Sequence, residues 1–321
     1  MTGFLVRRLG ASLLLLFLVV SFTFFFIHLA PGDPTIFLID PELSPAAQEA
    51  LRRLYGLDRP VLEQYLHWLR AIVVEQDWGF SFYQNRPVTA VIADHLPQTL
   101  LLAVSAMTMQ YALGLILGVW AARQAESWSD HLIRLVLLAL YSLPLFWLAL
   151  MAILLLSYVW PLFPAGHTHS VGAEELPSLA RLLDLLHHLA LPALVLGLAS
   201  AGAIARFTRN SLLEVFGQDY LRTARASGIK EGRVVWLHAL RNAGAPIIQM
   251  FGLSLPLLLS GSLVIETVFS WPGLGRLTYL SIGNRDYPVI LATTVLTGTL
   301  VVAGNLLADL LHAAVDPRVR K

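Results

Sequence analysis

The sequence predicts an all-α membrane protein with six transmembrane helices. Apolar residues make up 56% of the 321 residues and charged residues only 13%, about half the charged share that is usual in a soluble domain. A helix needs about 20 apolar residues to cross the hydrocarbon core of a bilayer, and it satisfies its own backbone hydrogen bonds there. Six apolar runs approach or exceed that length: 9–29, 99–122, 132–157, 189–205, 246–268 and 288–311.

The first run is predicted to stay in place as a helix rather than to be removed as a secretory signal. Arg7 and Arg8 precede it, as basic residues precede a signal. However, its apolar core is too long, and residues 28–33 lack a small-x-small cleavage site. The fourth run is the weakest of the six because it is short and contains Pro192. Cysteine is absent, which excludes disulfides and thiolate metal sites.

The distribution of charge predicts that both ends of the chain face the cytoplasm. With the N-terminus inside, six helices place 14 of the 22 basic residues on the inner side and 14 of the 21 acidic residues on the outer side. Cytoplasmic loops of membrane proteins are enriched in Lys and Arg. This N-in, C-in arrangement puts the long polar stretch at about 206–245 in the cytoplasm.

The largest extramembrane piece is predicted on the outer side. Residues 1–98 would comprise the first span and this outer segment, and residues 99–321 the main membrane domain. Within the outer segment, Ser44 is a candidate N-cap of a helix. Apolar residues also recur at helical spacing from Val61 to Val74, and this stripe is expected to pack onto the membrane domain.

A second outer loop, at 158–188, is rich in histidine. Imidazole is a common ligand of divalent metals. No cysteine or regularly spaced carboxylate accompanies these histidines, so no metal site is predicted. The four residues are His167, His169, His187 and His188.

The chain lacks the residues of an enzyme or of a self-sufficient pump. A phosphate-binding loop of the G-x-x-x-x-G-K-[ST] type needs a Gly-Lys step, and the two lysines, Lys230 and Lys321, follow Ile and Arg. Neither H-E-x-x-H nor G-x-S-x-G occurs. Ion-coupled carriers place ionisable groups within their spans, whereas Glu266 and Asp309 lie near span ends. We therefore expect a non-catalytic chain without a cofactor, driven by another protein.

The cytoplasmic stretch has the pattern of two short helices joined at a glycine. From Leu213 to Ala226, apolar and polar residues fall on separate helical faces. Gly228 is a candidate helix stop, and residues 231–240 can resume a helix. A compact knob of this kind would fit a cleft in a soluble partner. A solvated loop whose arginines only set the topology is compatible with the same periodicity.

Residues 220–242 resemble the cytoplasmic signature loop, the EAA loop, of ABC-importer permeases. Arg222-Thr-Ala224 stands at the Glu-Ala-Ala positions, Gly228 at the glycine and His238-Ala-Leu-Arg-Asn242 at the closing part. Arg222 replaces glutamate and Arg241 replaces proline, departures that resemble the dipeptide, oligopeptide and nickel branch. Other stretches that match this branch follow in order: 31–34, 143–147, 189–192, 266–275, 284–288 and 316–320.

The resemblance implies a B-type permease with the type I ABC importer fold, in a bacterial-type cytoplasmic (inner) membrane. Such a subunit forms a heterodimer with a C-type permease, docks on two ATP-binding subunits that hold ATP and magnesium, and receives cargo from an extracytoplasmic substrate-binding protein. The residues implied in ATPase coupling are Tyr220, Arg222, Thr223, Ala224, Arg225, Ala226, Gly228, His238 and Arg241.

The implied function is to form half of the translocation path for short peptides. Nickel or another small solute is an alternative cargo for the same machinery. A self-sufficient channel or ion-coupled carrier is the alternative from a different class, and the scarcity of charge within the spans argues against it.

The fifth apolar run carries the candidates for lining the path or forming an outer gate. A proline inside a helix is expected to kink it, and serines give this helix a small, polar side. The candidates are Ser254, Pro256, Ser260, Ser262 and Glu266.

Four residues outside that run are expected to have structural roles. Trp271 suits the aromatic belt at a membrane interface. Asp286 is expected to stabilise the start of the last span, since a carboxylate is favourable at a helix N-terminus. Gly114 and Gly118 are expected to permit close packing between helices.

Overall fold

The computed structural model describes residues 2–29, 49, 53, 56 and 58–315. Of these, only the backbone is described at 2–6, 245–246, 248–249, 252–253, 255–257, 259–261 and 311–315. The predicted helix after Ser44 lies outside the described residues. Within them the chain is helical, apart from turns and one isolated β-bridge between Phe80 and Pro87.

Over residues 2–29 and 58–315, eleven helices follow one another, and a 3-10 helix, Ala173–Glu175, lies between α5 and α6. A π-helical turn, Ala71–Glu75, extends α2, and another, Leu154–Val159, extends α5. The helix α8 comprises Glu231–Arg233, a π-helical stretch Val234–Ala239 and Leu240–Asn242. The others are α1 (Thr2–Leu29), α2 (Val61–Arg70), α3 (Val88–Arg123), α4 (Trp128–Ser142), α5 (Leu145–Ile153), α6 (Ser178–Phe216), α7 (Asp219–Ala226), α9 (Gly244–Val268), α10 (Leu274–Gly283) and α11 (Tyr287–Val315).

Several of these helices have the length and composition of membrane spans. In the part of the chain that the structure describes, α1, α3, α6 and α11 each qualify, and α4 with the extended α5 makes a fifth when this bent pair is counted as one broken span and not as a re-entrant loop. The 25-residue α9 covers the fifth apolar run. The all-helical membrane class predicted from composition is therefore confirmed.

The third apolar run is two helices, so the single helix predicted over 132–157 is wrong. The axes of α4 and α5 differ by 105°. Leu143 is extended, with φ −83° and ψ 142°, because the ring of the following proline disfavours helical backbone at the preceding residue. Pro144 then begins α5 without needing an amide hydrogen.

The fourth run is longer than its apolar core indicated. The helix α6 has 39 residues and continues through Pro192. The polar residues on both sides of 189–205 are helical too. Of its apolar 18-residue stretch, 67% is buried. Tertiary packing of this helix outweighs the local cost of the proline.

The described chain divides into two compact units. The first comprises Thr99–Pro272 and the segment that begins at Ala303, and the second comprises Thr2–Gln98 and Gly273–Val302. In the first unit, α3, α5, α6 and α9 surround an apolar core. Its fully buried members include Leu102, Ala149, Leu191, Ile265 and Trp271.

The burial of Trp271 corrects its predicted place in an interfacial belt. Its side chain has no exposed surface and packs in the first unit's core together with Phe269. From the sequence alone, a tryptophan just after a helix could lie either in the interfacial belt or in the protein core. Here the chain turns after α9, with a positive φ at Ser270, and this turn directs the ring inward.

Glycines allow α3 and α6 to approach closely, as predicted. A Cβ on Gly114 would lie 2.6 Å from the Cβ of Ile204, and one on Gly118 would lie 2.7 Å from the carbonyl oxygen of Ala205. A Cβ essentially never lies this close to another heavy atom, so the crossing of α3 and α6 requires glycine at both positions.

In the second unit, the predicted stripe on α2 packs against other helices. Tyr65 forms a buried cluster with Phe24 of α1 and Leu291 of α11, and Trp68 covers it. The hydroxyl groups of Tyr65 and Ser21 are 2.7 Å apart. The helix predicted from Val61 onward is therefore confirmed, together with its packing role.

Asp286 directly precedes α11, where the prediction placed it, and its carboxylate has a second role that the sequence did not indicate. It accepts hydrogen bonds from the Ser81 hydroxyl, from the amide of Phe82 at 3.1 Å and from the amide of Tyr83 at 3.3 Å. The side chain therefore anchors the turn at 81–86 within the second unit. Its backbone carbonyl accepts a hydrogen bond from the amide of Ile290 in α11, at 3.0 Å.

Candidate functional site

The polar segment, residues 217–243, begins at a break that the sequence pattern did not indicate. The predicted helix from Leu213 to Ala226 is interrupted, because α6 ends at Phe216 and Gln218 is extended, with φ −81° and ψ 144°. The helix α7 then starts at Asp219, whose carboxylate is favourable in a first turn. Amphipathic spacing continues across the break, so periodicity alone could not locate it.

The joint between α7 and α8 depends on Gly228, as predicted. This residue has a positive φ of 76°, and nothing lies within 4 Å of the position of a Cβ. Its amide donates to the carbonyl of Arg225 at 3.0 Å, and the amide of Ile229 donates to Ala224 at 3.2 Å. These bonds satisfy the last carbonyls of α7. Glycine is needed here for its backbone conformation and not for lack of space.

An apolar cluster fixes the polar segment to the two long helices beneath it. Leu221 of α7 and Val234 and Val235 of α8 are fully buried. Burying an aliphatic side chain of this size stabilises a fold by roughly 1.5–3 kcal/mol, so the segment is a packed element and not a solvated loop. The other buried members are Val119 and Ala122 of α3, Leu212 and Val215 of α6, and Ala239 and Ala243.

Most of the residues implied in coupling lie on the outer side of the segment, whereas Ala224 packs against the cluster itself. Arg222, Thr223, Arg225, Ala226, Gly228 and Arg241 are exposed, whereas Ala224 and His238 are partly buried. Tyr220 is also exposed, and its hydroxyl accepts a hydrogen bond from Asn242 at 2.7 Å. The structure therefore gathers all nine residues in one segment and leaves most of them accessible.

Two large apolar residues on the same segment were not singled out from the sequence. Trp236 is 48% exposed and Leu237 is 55% exposed. Exposed aromatic and aliphatic side chains beside arginines are typical of a protein–protein contact. The sequence contained a signal, because the four consecutive apolar residues 234–237 cannot all lie on one face of a helix. Val234 and Val235 face the cluster, so Trp236 and Leu237 lie on the other side of α8.

An ion pair ties α7 to α8 across the joint. Arg225 donates from Nε and Nη2 to the two carboxylate oxygens of Glu231, at 3.1 and 3.0 Å. The guanidinium also lies over the Phe216 ring, 5.9 Å from its centroid. Arg225 holds the pKa of the Glu231 carboxyl below its ordinary value, through these hydrogen bonds against an opposing effect of burial.

We expect Glu231→Gln to have a small effect that depends on pH. A carboxyl with a lowered pKa stabilises the fold fully above its unfolded pKa, about 4.3, and this contribution disappears as the pH falls through the lowered value. Because both side chains are partly exposed, the loss at neutral pH should be below about 1 kcal/mol. Thermal unfolding of the purified protein between pH 7 and pH 3 measures it. An equal loss at both ends of this range would contradict the assignment to the ion pair.

The path or gate candidates lie in and after the middle of α9. Ser254 is buried and accepts a hydrogen bond from Gln110 of α3 at 3.0 Å. Ser262 is buried, and Glu266 is fully buried, where it accepts a hydrogen bond from Thr99 at 2.9 Å. The backbone of α9 is helical through Pro256 and Ser260, and their side chains lie outside the described part.

The outer histidines are held by structural contacts, and two of them share Asp184 as a partner. His169 Nδ1 lies 3.0 Å from Asp184, and His188 Nδ1 lies 2.8 Å from the carbonyl of the same residue. His187 contacts the carbonyl of Leu162 at 2.8 Å, and the His167 amide donates to Phe269. Among the described residues, no group of three or more His, Cys, Asp or Glu side chains is placed to hold a metal ion.

Comparison with protein families identifies the membrane domain. Residues 114–321 match the family described as "Binding-protein-dependent transport system inner membrane component". Residues 1–103 match the family described as its N-terminal membrane component. The chain belongs to this family of permeases.

Relatives match the permease over its whole length. It is 41% identical over 320 residues to the oligopeptide transport system permease protein AppB of Bacillus subtilis (strain 168), which covers 99% of each chain. It is 38% identical over 337 residues to the dipeptide transport system permease protein DppB of Escherichia coli (strain K12), covering 100% of this chain and 99% of that one.

The fold of the permease has a counterpart among solved structures. A chain of the MetNI methionine ABC transporter, in an inward-facing conformation, aligns with a TM-score of 0.55 and 18% identity, over 71% of this chain and 97% of that one. This likeness supports the fold. The family match and the full-length relatives make the permease a non-catalytic, multi-pass inner-membrane subunit of an ABC importer. Permeases of this family work with ATPase and substrate-binding components.

Proposed function

We propose that the permease forms half of the translocation path of an ATP-driven importer for short peptides. The observation that carries the proposal is the polar segment, in which two short helices pack on a buried apolar cluster and expose seven of the nine residues that the family resemblance implies in coupling. The two relatives named above are, by name, oligopeptide and dipeptide permeases. Their full-length similarity supports a peptide as the cargo of this chain.

The proposed partners follow from what the chain itself lacks. Without a Gly-Lys phosphate loop, the chain depends on two ATP-binding subunits, which hold ATP and magnesium. A second, C-type permease completes the path in a heterodimer, and an extracytoplasmic substrate-binding protein delivers the peptide. The membrane is the bacterial-type cytoplasmic (inner) membrane.

The proposed topology has six spans with both ends in the cytoplasm, as in the type I importer fold. The spans are α1, α3, the bent α4–α5 pair, α6, α9 and α11. This arrangement places the polar segment between the fourth and fifth spans, on the side that carries most of the basic residues. Five of the six have the length and composition of membrane spans, which supports the count.

The polar segment is proposed to transmit closure of the ATPases to the spans. ATP binding must favour one of two packed arrangements of the spans. It can do so only through a contact with the ATPases that differs between the two arrangements. The exposed residues, with Trp236 and Leu237 among them, would contact the ATPase surface. Leu221, Val234 and Val235 then transfer the displacement to α3 and α6, because a close-packed apolar cluster moves as one body.

The path or gate residues are proposed on α9. Ser254, Ser262 and Glu266 are buried polar groups within a span, and such groups are usually functional. Because Ser254 and Glu266 accept hydrogen bonds from α3 of the same chain, they favour a gate that opens when α9 moves, and not the lining of an already open path. Pro256 and Ser260 belong to the same helix. In the assembled heterodimer, this helix would adjoin the path.

Reconstitution of the purified assembly tests the proposed function. The permease, its C-type partner, the two ATPases and the binding protein are placed in proteoliposomes, and uptake of a labelled dipeptide and tripeptide is measured with and without ATP. We expect uptake that requires ATP and is competed by unlabelled peptide. If nickel competes for uptake and unlabelled peptide does not, the cargo is nickel and not a peptide. Solute flux through the permease alone, without ATP, would show a channel or carrier instead.

A further inference from the structure

A buried ion pair joins α6 to the start of α4 within the first unit. Arg209 donates from Nε to Oδ1 of Asp130 at 2.8 Å and from Nη2 to Oδ2 at 2.6 Å. The Asp130 side chain is fully buried, and the Arg209 side chain is 10% exposed. The amide of Glu126 also donates to Oδ2, at 3.0 Å, and Arg134 approaches Oδ1 at 3.3 Å. The carboxylate is thus held by α6, by α4 and by the turn that precedes α4.

This ion pair also determines the geometry of that turn. Glu126 has a positive φ of 62°, a conformation that costs a non-glycine residue free energy. Its amide bond to Asp130 stabilises this conformation, and its carboxylate accepts a further hydrogen bond from Arg209 at 3.2 Å. The turn between α3 and α4 is therefore fastened to α6 through the same arginine.

Arg209 lies in the part of α6 that also carries the polar segment. It precedes Phe216, the last residue of the helix, by seven residues, which is about 10 Å along the axis. Leu212 and Val215, in the same two turns, belong to the apolar cluster under the polar segment. One stretch of helix therefore contacts the polar segment through apolar side chains and α4 through a buried charge.

Apolar packing between α4 and α6 is incomplete at this level. A cavity of about 290 Å³ lies beside the ion pair, with walls from α3, α4 and α6. The cavity extends along α4 as far as Leu137, whose carbonyl comes within 3.3 Å of the position of a Cβ on Gly202, and both residues line it. The start of α4 is consequently held by the ion pair, while the closer backbone approach lies about two turns away. The cavity is lined by Ala121, Ile133, Arg134, Leu137, Ala205 and Arg206, among others.

We propose that Arg209 is a positioning residue that carries movement of the polar segment into α4, and through α4 into the bent α4–α5 pair. This inference rests on the proposed function. Separating the pair would leave an uncompensated buried charge, which is strongly unfavourable, so the start of α4 follows α6 instead of sliding past it. Since α5 continues from α4 at 105°, displacement of α4 along α6 also displaces α5.

A charge swap in the full importer tests the proposal. Arg209→Gln, Asp130→Asn and the double variant R209D/D130R are reconstituted in proteoliposomes with all partner subunits. Assembly, ATP hydrolysis and labelled-peptide uptake are measured on the same preparations. We expect each single variant to hydrolyse ATP at close to the wild-type rate but to import about tenfold less peptide per ATP, the size of a typical coupling between sites. The swap should restore part of the uptake, because it rebuilds the pair with its charges exchanged. Restoration is incomplete because the cation at position 130 then lies beside Arg134, and the carboxylate at position 209 lies beside Glu126.

The matched control is Arg134→Gln, which removes the partly exposed cation beside the same carboxylate. Arg134 and Asp130 belong to the same helix, so the amount of peptide imported per ATP should not change. A wild-type ratio in both single variants would overturn the proposal. So would a parallel fall of hydrolysis and uptake, which would place the effect at the ATPase contact, or a swap that assembles without restored uptake. If neither the single variants nor the swap assemble, the pair is a folding requirement and the proposal fails. If the wild-type assembly imports no peptide, the proposed function fails instead.

Discussion

Replacing Gly118 by leucine should prevent the chain from folding stably, and alanine should already weaken it. A Cβ at this position would lie 2.7 Å from both the carbonyl oxygen of Ala205 and the Cβ of Thr208. Neither neighbour is the flexible end of a side chain, so α3 and α6 would have to separate. Overpacking of a close contact typically costs 1–3 kcal/mol, and leucine adds three more carbons at the same place.

Size-exclusion profiles and thermal unfolding of the detergent-purified protein measure this effect. The matched control is Gly10→Leu, since Gly10 is also a helical glycine and nothing lies within 4 Å of the position of its Cβ. We expect the G10L protein to remain monodisperse, with a melting temperature near that of wild type. G118L at wild-type yield and stability would show that α3 and α6 do not cross this closely.

The role of the two glycines on α3 could be predicted from the sequence, but the helix that packs against them could not. Gly114 and Gly118 are four residues apart, so they lie on one face of α3 and predict a close helix neighbour. Nothing in that spacing identifies α6, because a small residue marks where a backbone approaches and not which one. The same limit applies to Arg209 and Asp130, which are 79 positions apart and could each be interpreted only as a charge near a span end.

The polar segment was more predictable than the packing around it. Its two helices and the stop at Gly228 follow from local rules, since a glycine after an amphipathic stretch favours a left-handed turn. The break before α7 did not follow, because Gly217 has an ordinary φ of −77° and the apolar spacing continues through it. The bend at Pro144 could have been placed from the restriction on Leu143, although its angle of 105° depends on tertiary contacts.

Replacing Gly228 by valine is expected to abolish most ATP-driven peptide uptake while leaving the spans folded. The native φ of 76° is a strained conformation for a β-branched residue, and holding a side chain there costs about 1–3 kcal/mol. A cost of that size lowers the population of the native joint by roughly 5- to 150-fold. Since α7 and α8 both pack on one apolar cluster, a joint that cannot form its turn removes one of them from it.

Two matched variants separate backbone strain from the size of the new side chain. Gly228→Asn should retain most of the uptake, because asparagine tolerates left-handed backbone far better than valine does. Gly232→Val adds the same side chain four residues on, where the glycine lies in the first turn of α8 and nothing is within 4 Å of a Cβ. Uptake per ATP in the reconstituted importer should therefore fall in the order Gly232→Val, Gly228→Asn, Gly228→Val. If Gly232→Val is as damaging as Gly228→Val, the added bulk blocks a surface contact. The essential property of Gly228 would then be its small size and not its backbone conformation.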